Sequence, residues 1–356
     1  MNTQSTDFLL QGPFGDPDAL RTDLEVFHTG LVDMLGRSTG VNMPVVNESL
    51  LGRSIWRTHL DKAFKACVIR QDPGAAREIL QQGVLLLSRT GDQIEFPVHD
   101  KSYNLAGNWT QLEPGLLQIH AVQNDLLPHN MVPIDATRDH AAKVAEGVKL
   151  LVAALGELAV TTMRSVSGAL IIECDAIGSA FIVPVPEVSI LNQSLLGDPV
   201  AVADAVIHEA CHQKLYDLIA VRRLLKPGYG GPGERTYTIP WNPVNGKRRR
   251  MDSLMILSAL HVYAHVMALI ISLARMGYRH PTVSADLETY WRRARFFWLI
   301  AEKGSMSEDL GPDAAAMLDW LIDTFRRHAY DMRTLGRPID NTYLRDAERQ
   351  AVTTDV

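Results

Sequence analysis

Apolar residues recur at helical spacing along most of this chain, and the exceptions gather near its middle. From Asp23 to Arg37 the stripe Leu24, Phe27, Leu31 and Leu35 predicts an amphipathic helix. Further helices are expected from about Ser49 to Val68 and from Asp72 to Leu87, the latter with Pro73 near its start. A long amphipathic pattern then runs from about Thr137 to Thr162. Between them, residues 88–135 mix Gly, Pro, Asn and Asp with short apolar runs and support no element assignment.

The period changes after residue 165. Ala169–Cys174 and Ala180–Val185 read as short strands separated by a turn at Asp175–Gly178, and Val188–Leu191 extends the same pattern. Asp198 followed by Pro199 is a capping residue with proline in the first turn, so a helix is expected from Pro199 to near Lys226, before Pro227-Gly228. A glycine-rich loop, Gly228 to Glu234, leads into Tyr237–Trp241 and a basic segment. Helical spacing resumes over Asp252–Met276, Ala285–Lys303 and Pro312–Arg327. The expected fold is α+β and predominantly α-helical, with a small sheet beside the helix that follows Pro199. Four regions are expected: a flexible arm over 1–20, a helical region over 21–160, a catalytic region over 161–335 and a polar tail over 336–356.

Composition narrows this picture. At 356 residues, with 46% hydrophobic and 21% charged positions, the chain can bury a large core. Its net charge of −6 argues against a general nucleic-acid binder. Three cysteines, Cys67, Cys174 and Cys211, do not make a disulfide framework. The first twenty residues lack the basic and apolar regions of a secretory signal. The longest apolar stretch, Leu254–Leu273, carries two histidines, two serines and a tyrosine, which suits a buried helix better than a membrane span. A cytoplasmic location, with no membrane and no nucleic acid as partner, is expected.

The chemistry concentrates on the helix after Pro199, in His208-Glu209-Ala210-Cys211-His212. Histidines at i and i+4 lie on one helical face and can chelate one divalent ion. Glu209 stands beside them and can face a metal-bound water or orient a ligand. Without a shared ion, two imidazoles and a carboxylate among Val206, Ile207 and Leu215 would be costly to bury. Cys211 is one position off the metal-facing stripe. The extended motif with a third downstream histidine is missing, since Leu215 and Leu218 stand at its glycine and histidine positions. His261, on the apolar helix Leu260-His-Val-Tyr-Ala-His265, is the expected third ligand, with His265 in reserve.

At these residues the chain resembles the HExxH-motif peptide-modification proteins associated with the biosynthesis of ribosomally made, modified peptides (RiPPs). Ala203–Leu215 carries the resemblance, with Ile239-Pro-Trp241 and Leu260-His-Val-Tyr-Ala264 similar to that family's later Pro-Trp and His-Gly-x-Tyr-Ala elements. It covers roughly residues 165–275. Val262 stands where the family has glycine, and Arg248, Arg249 and Arg250 fall in a longer interval between the two later elements. The resemblance implies a non-haem iron(II) enzyme that uses 2-oxoglutarate and oxygen to hydroxylate a side chain of a peptide, such as a precursor peptide, or of an amino acid. One of Arg248, Arg249 and Arg250 would then anchor the distal carboxylate of 2-oxoglutarate. A solvated basic loop, or a patch for an acidic substrate segment, is the other reading of that run. The rival function is a zinc-dependent HExxH peptidase or hydrolase with Glu209 as general base. A non-catalytic module with a structural metal is the third.

Overall fold

The computed structural model describes residues 5–14, 16–44, 50–87, 93–98, 101–106, 131–175, 177–181, 186–230, 235–244, 247–278, 281–303 and 305–336. The chain is predominantly helical α+β, with a mixed sheet and a separate two-stranded ribbon. It divides into two compact units. One, the sheet unit, comprises 17–150 and 163–213; the other, the helical unit, comprises 1–16, 151–162 and 214–356.

In the sheet unit, helices α2 (Pro17–Thr39), α3 (Leu50–Phe64) and α4 (Pro73–Leu87) share a core of Leu31, Leu35, Trp56, Leu60 and Leu80. The end of α3 widens into a π-helical turn, Lys65–Ile69, closed by the Arg70 N–H donating to the Lys65 carbonyl at 3.1 Å. Within 88–135, where the sequence supported no assignment, lie three strands: β1 (Gln93–Val98), β2 (Lys101–Ala106) and β3 (Val132–Ile134). Residues 107–130 lie outside the described residues.

The rest of the sheet is built from β4 (Gly168–Glu173), β5 (Ser179–Phe181) and β6 (Val188–Asn192), in the order β1-β2-β4-β6-β5, with β3 pairing β4. β4 and β6 run parallel, and every residue of the two except Glu173 is buried, as expected for strands covered on both faces. β5 does not pair with β4, the strand that precedes it. It crosses to the far side of β6 and pairs antiparallel, Ala180 opposite Ile190. Asn192 fixes this arrangement: its amide donates to the Cys174 and Ile177 carbonyls, while its oxygen accepts the Ser194 N–H at 3.1 Å. Of the expected strand over Ala180–Val185, Ala180 and Phe181 lie in β5, and residues 182–185 lie outside the described residues.

The pattern read as one helix over Thr137–Thr162 is two, α5 (Arg138–Leu155) and α6 (Glu157–Met163). Gly156 separates them with φ of +56°, and its N–H closes α5 on the Val152 carbonyl at 2.8 Å. Helix α7 (Pro199–Val221) carries the histidine pair and starts as its sequence predicts, with the Val200 N–H donating to Asp198 Oδ1 at 2.9 Å. Near its start, Gly147 of α5 allows close contact: a Cβ there would sit 2.4 Å from Val202 Cγ1.

Beyond Val221, Leu224–Lys226 leave helical geometry because they form a ladder with residues 309–311. The Gly311 N–H donates to the Leu224 carbonyl and the Lys226 N–H to the Asp309 carbonyl. This is why α7 stops short of Lys226. In the helical unit, β7 (Thr236–Val244) and β8 (Lys247–Asp252) form an irregular antiparallel ribbon. Asp252 then caps α8 (Ser253–Arg275), accepting the Met255 N–H at 2.7 Å. α9 (Pro281–Glu302) and α10 (Pro312–Thr334) pack against α8. Among the described residues α8 is the one helix long and apolar enough to span a membrane, yet 78% of its most apolar window is buried.

The expected flexible arm over 1–20 instead contains α1 (Ser5–Leu10) and the start of α2, and Leu9 and Leu20 are buried. α1 sits on α10: the Trp320 indole donates to the Phe8 carbonyl at 3.2 Å, and the Arg327 guanidinium lies 4.0 Å from the Phe8 ring centre. Apolar side chains at Phe8 and Leu9 outweigh the polar composition around them. The polar tail, from residue 337 onward, lies outside the described residues.

Candidate metal centre

Helix α7 is buried nearly all round, but one line of positions reaches the surface. Ala201, Asp204, His208, His212 and Tyr216 are half-buried, while Val202, Ala203, Ala205, Val206, Ile207, Ala210 and Cys211 are buried. Steps of three and four residues place this line on one helical face. The two histidines therefore stand on the part of the helix that a solute can reach.

His208 and His212 have ring centres 5.0 Å apart, inclined at 62°. One ring nitrogen of each and a Glu209 carboxylate oxygen all lie within 4.8 Å of one another. Ligand atoms bound about 2.0–2.2 Å from a shared ion lie at most about 4.4 Å apart, so the spacing of the group is close to what one ion requires. Burial holds the His208 imidazole at a pKa of about 4, so at neutral pH its nitrogen lone pair is available to a cation. The group fits a divalent transition metal.

Glu209 is 2% exposed. Burial pushes its carboxyl up to about 8, and the nearby Asp204 carboxylate pushes the same way; a hydrogen bond from Ser179 opposes both. That bond, Ser179 Oγ to Glu209 Oε1, is 2.5 Å long. Two residues along β5, and so on the same face of the strand, the Phe181 ring lies parallel to His212 at 6.2 Å and 19°. Edge strand β5 thus presents a hydroxyl to the carboxylate and an aromatic wall to one imidazole.

Ser179, Phe181 and Asp204 were not picked out by the sequence. Ser179 and Phe181 alternate at strand spacing, but nothing local says that this strand borders α7. Asp204, one turn before His208 on the same face, was readable from helical spacing alone.

The other expected site residues fall in the helical unit. His261 is 1% exposed on α8, its ring 4.6 Å from that of His265 and 6.5 Å from that of Trp320. Its carbonyl lies 2.9 Å from His265 Nδ1. Arg248, Arg249 and Arg250 lie on β8 rather than in a loop. Arg249 and Arg250 are exposed, and Arg250 Nε donates to Thr236 Oγ1 at 2.8 Å; the Arg248 side chain lies outside the described residues. Trp241, of the Pro-Trp element, packs edge-on against Phe296 and Phe297, with the Arg293 guanidinium 5.6 Å from its ring centre.

Comparison of the chain with models of known protein families and with curated proteins gives no match.

Proposed function

We propose that this protein is a cytoplasmic metal-dependent oxygenase, a non-haem iron(II) and 2-oxoglutarate hydroxylase acting on a side chain of a peptide or amino acid. The observation that carries the reading is the donor group itself: two imidazoles and a carboxylate, all within 4.8 Å, on the accessible line of an otherwise buried helix. Two neutral imidazoles on one helical face, with Glu209 beside them, suit ferrous iron that must keep coordination positions open. The resemblance of residues 165–275 to the peptide-modification proteins points the same way.

His208 and His212 would hold the ion. Bound together, ferrous iron, 2-oxoglutarate and oxygen supply the oxidising power, giving succinate, carbon dioxide and a hydroxylated side chain. Glu209, tied through one oxygen to Ser179, stays fixed beside the histidines and keeps a proton-holding oxygen in the site. Phe181 covers one face of the His212 ring and limits water there.

The zinc hydrolase reading rests on the same carboxylate. Glu209 is buried, held by Ser179 and adjacent to the pair, as a general base for a metal-bound water would need to be. The deciding experiment reconstitutes metal-free protein anaerobically with Fe(II) or Zn(II), then adds oxygen, 2-oxoglutarate and a peptide library. Succinate released only with Fe(II) and oxygen supports the oxygenase. Peptide cleavage with Zn(II), indifferent to oxygen and 2-oxoglutarate, overturns it.

A further inference from the structure

Glu187, between β5 and β6, is a non-glycine residue with φ of +66°, in the left-handed region that disfavours side chains. Such backbone persists only where its surroundings hold it. Here four contacts do so. The Glu187 carbonyl accepts the Ser167 N–H at 2.7 Å. Its carboxylate takes Arg57 Nη1 at 2.6 Å on one oxygen and Ser167 Oγ at 3.0 Å on the other. Its own N–H donates to Gln213 Oε1 at 2.5 Å. Gln213 is fully buried on α7, immediately after His212.

We propose that Glu187 and Gln213 are positioning residues for the metal centre, a latch that fixes the rotation of α7 and hence the aim of His208 and His212. The inference rests on the metal reading above. Neighbouring positions on a helix differ by about 100° in direction, so a tether at Gln213 fixes the angle at which His212 leaves the axis. His208, one turn earlier on the same face, turns with it. The left-handed backbone at Glu187 directs its N–H at the glutamine, and the ion pair with Arg57 anchors that backbone to α3. Conserving such geometry matters more to a chelating pair than to a packed helix, because ligand atoms tolerate only small displacements from the ion.

The test compares wild type with Gln213→Leu, which loses the acceptor at similar volume, and Gln213→Glu, which retains a side-chain oxygen at the same reach. His208→Ala serves as the reference for a lost ligand. Zn(II) affinity is measured by chelator competition, the Co(II) visible spectrum reports ligand geometry, and metal-free thermal unfolding reports the fold. Gln213→Leu is expected to weaken Zn(II) by about 10- to 100-fold and to alter the Co(II) bands, with Gln213→Glu restoring both towards wild type. Should Gln213→Leu not fold, Gln213→Asn, too short to reach the Glu187 N–H, is expected to show the same loss. Wild-type affinity and spectrum in a folded Leu or Asn variant would overturn the latch while leaving the centre standing. A wild-type protein that binds no metal would overturn both.

Discussion

The hydroxyl of Ser179 donates to Glu209 Oε1 at 2.5 Å, so an edge-strand residue holds the carboxylate that adjoins the histidine pair. The bond constrains which way the carboxylate lies in a site where it is almost fully buried. Removing the hydroxyl leaves a buried acceptor short of one partner, at a cost of about 1–3 kcal/mol. Ser179→Ala is therefore expected to keep its metal but to lose about 10- to 100-fold in turnover, the range typical when a supporting hydrogen bond is lost. Metal content and steady-state rates on the same preparation check this. Full activity in the alanine variant would show that Glu209 needs no orientation from β5.

Glu209 and the histidines are expected to separate by measurement. His208→Ala and His212→Ala should each abolish stoichiometric metal binding, because either change leaves half of an i,i+4 chelate. Glu209→Gln keeps the shape and can still accept the Ser179 proton, so it should retain the ion and lose turnover. Elemental analysis after dialysis distinguishes the outcomes. Loss of the ion from Glu209→Gln would make Glu209 a direct ligand.

Much of this centre was legible in the sequence because it is local. The His208–His212 spacing, the Asp198 cap and the apolar run of α8 each follow from helical period and capping chemistry within a few residues. What was not legible depends on pairing. β5 is three residues long and passes over β6 instead of pairing with β4, so Ser179 and Phe181 reach α7 by topology that no local pattern encodes. The same holds for α1, where Phe8, in a polar stretch, docks on Trp320 and Arg327, more than 300 positions away. Gly156, by contrast, had the sequence signature of a helix stop inside an amphipathic pattern, and the left-handed φ shows why it ends α5.

Gly147 offers a test of how α7 is seated from its N-terminal side. A methyl group there would lie 2.4 Å from Val202 Cγ1 and 3.1 Å from the Pro199 carbonyl oxygen. Alanine ordinarily favours a helix over glycine by roughly 1 kcal/mol, so the sign of Gly147→Ala decides whether close packing or propensity dominates. Val202 Cβ also lies within 2.5 Å, and neither it nor the backbone oxygen of Pro199 can swing aside, so packing is expected to win. Destabilisation of about 1–3 kcal/mol, read from chemical denaturation, is the expected result. Adding Val202→Ala should recover only a small part of it, since that change removes Cγ1 but leaves Val202 Cβ 2.5 Å from the new methyl. A Gly147→Ala protein more stable than wild type would show that the two helices do not press together at this point.

His328 gives the fold a predictable response to acid. It is fully buried on α10, with Nε2 2.8 Å from the Ala264 carbonyl of α8, an arrangement that suits a neutral ring donating from Nε2. Burial holds its pKa at about 4, with the Arg275 guanidinium adding to the depression; the Ala264 carbonyl and Asp331 partly offset it. In the unfolded chain the ring titrates near 6.5. Between those values the unfolded state binds the proton more tightly, so stability is present above pH 6.5 and is lost as the pH falls towards 4. The loss attributable to this one ring is on the order of a few kcal/mol, which is a large part of a typical folding free energy. His328→Gln removes the titration while leaving an amide donor of similar reach for the Ala264 carbonyl. Denaturation midpoints measured from pH 7 to pH 4 should therefore fall less steeply in the glutamine variant than in wild type, even if the variant starts lower at pH 7. Parallel slopes in the two proteins would mean that the folded ring titrates as it does in the unfolded chain, with Asp331 and the carbonyl cancelling the effect of its burial.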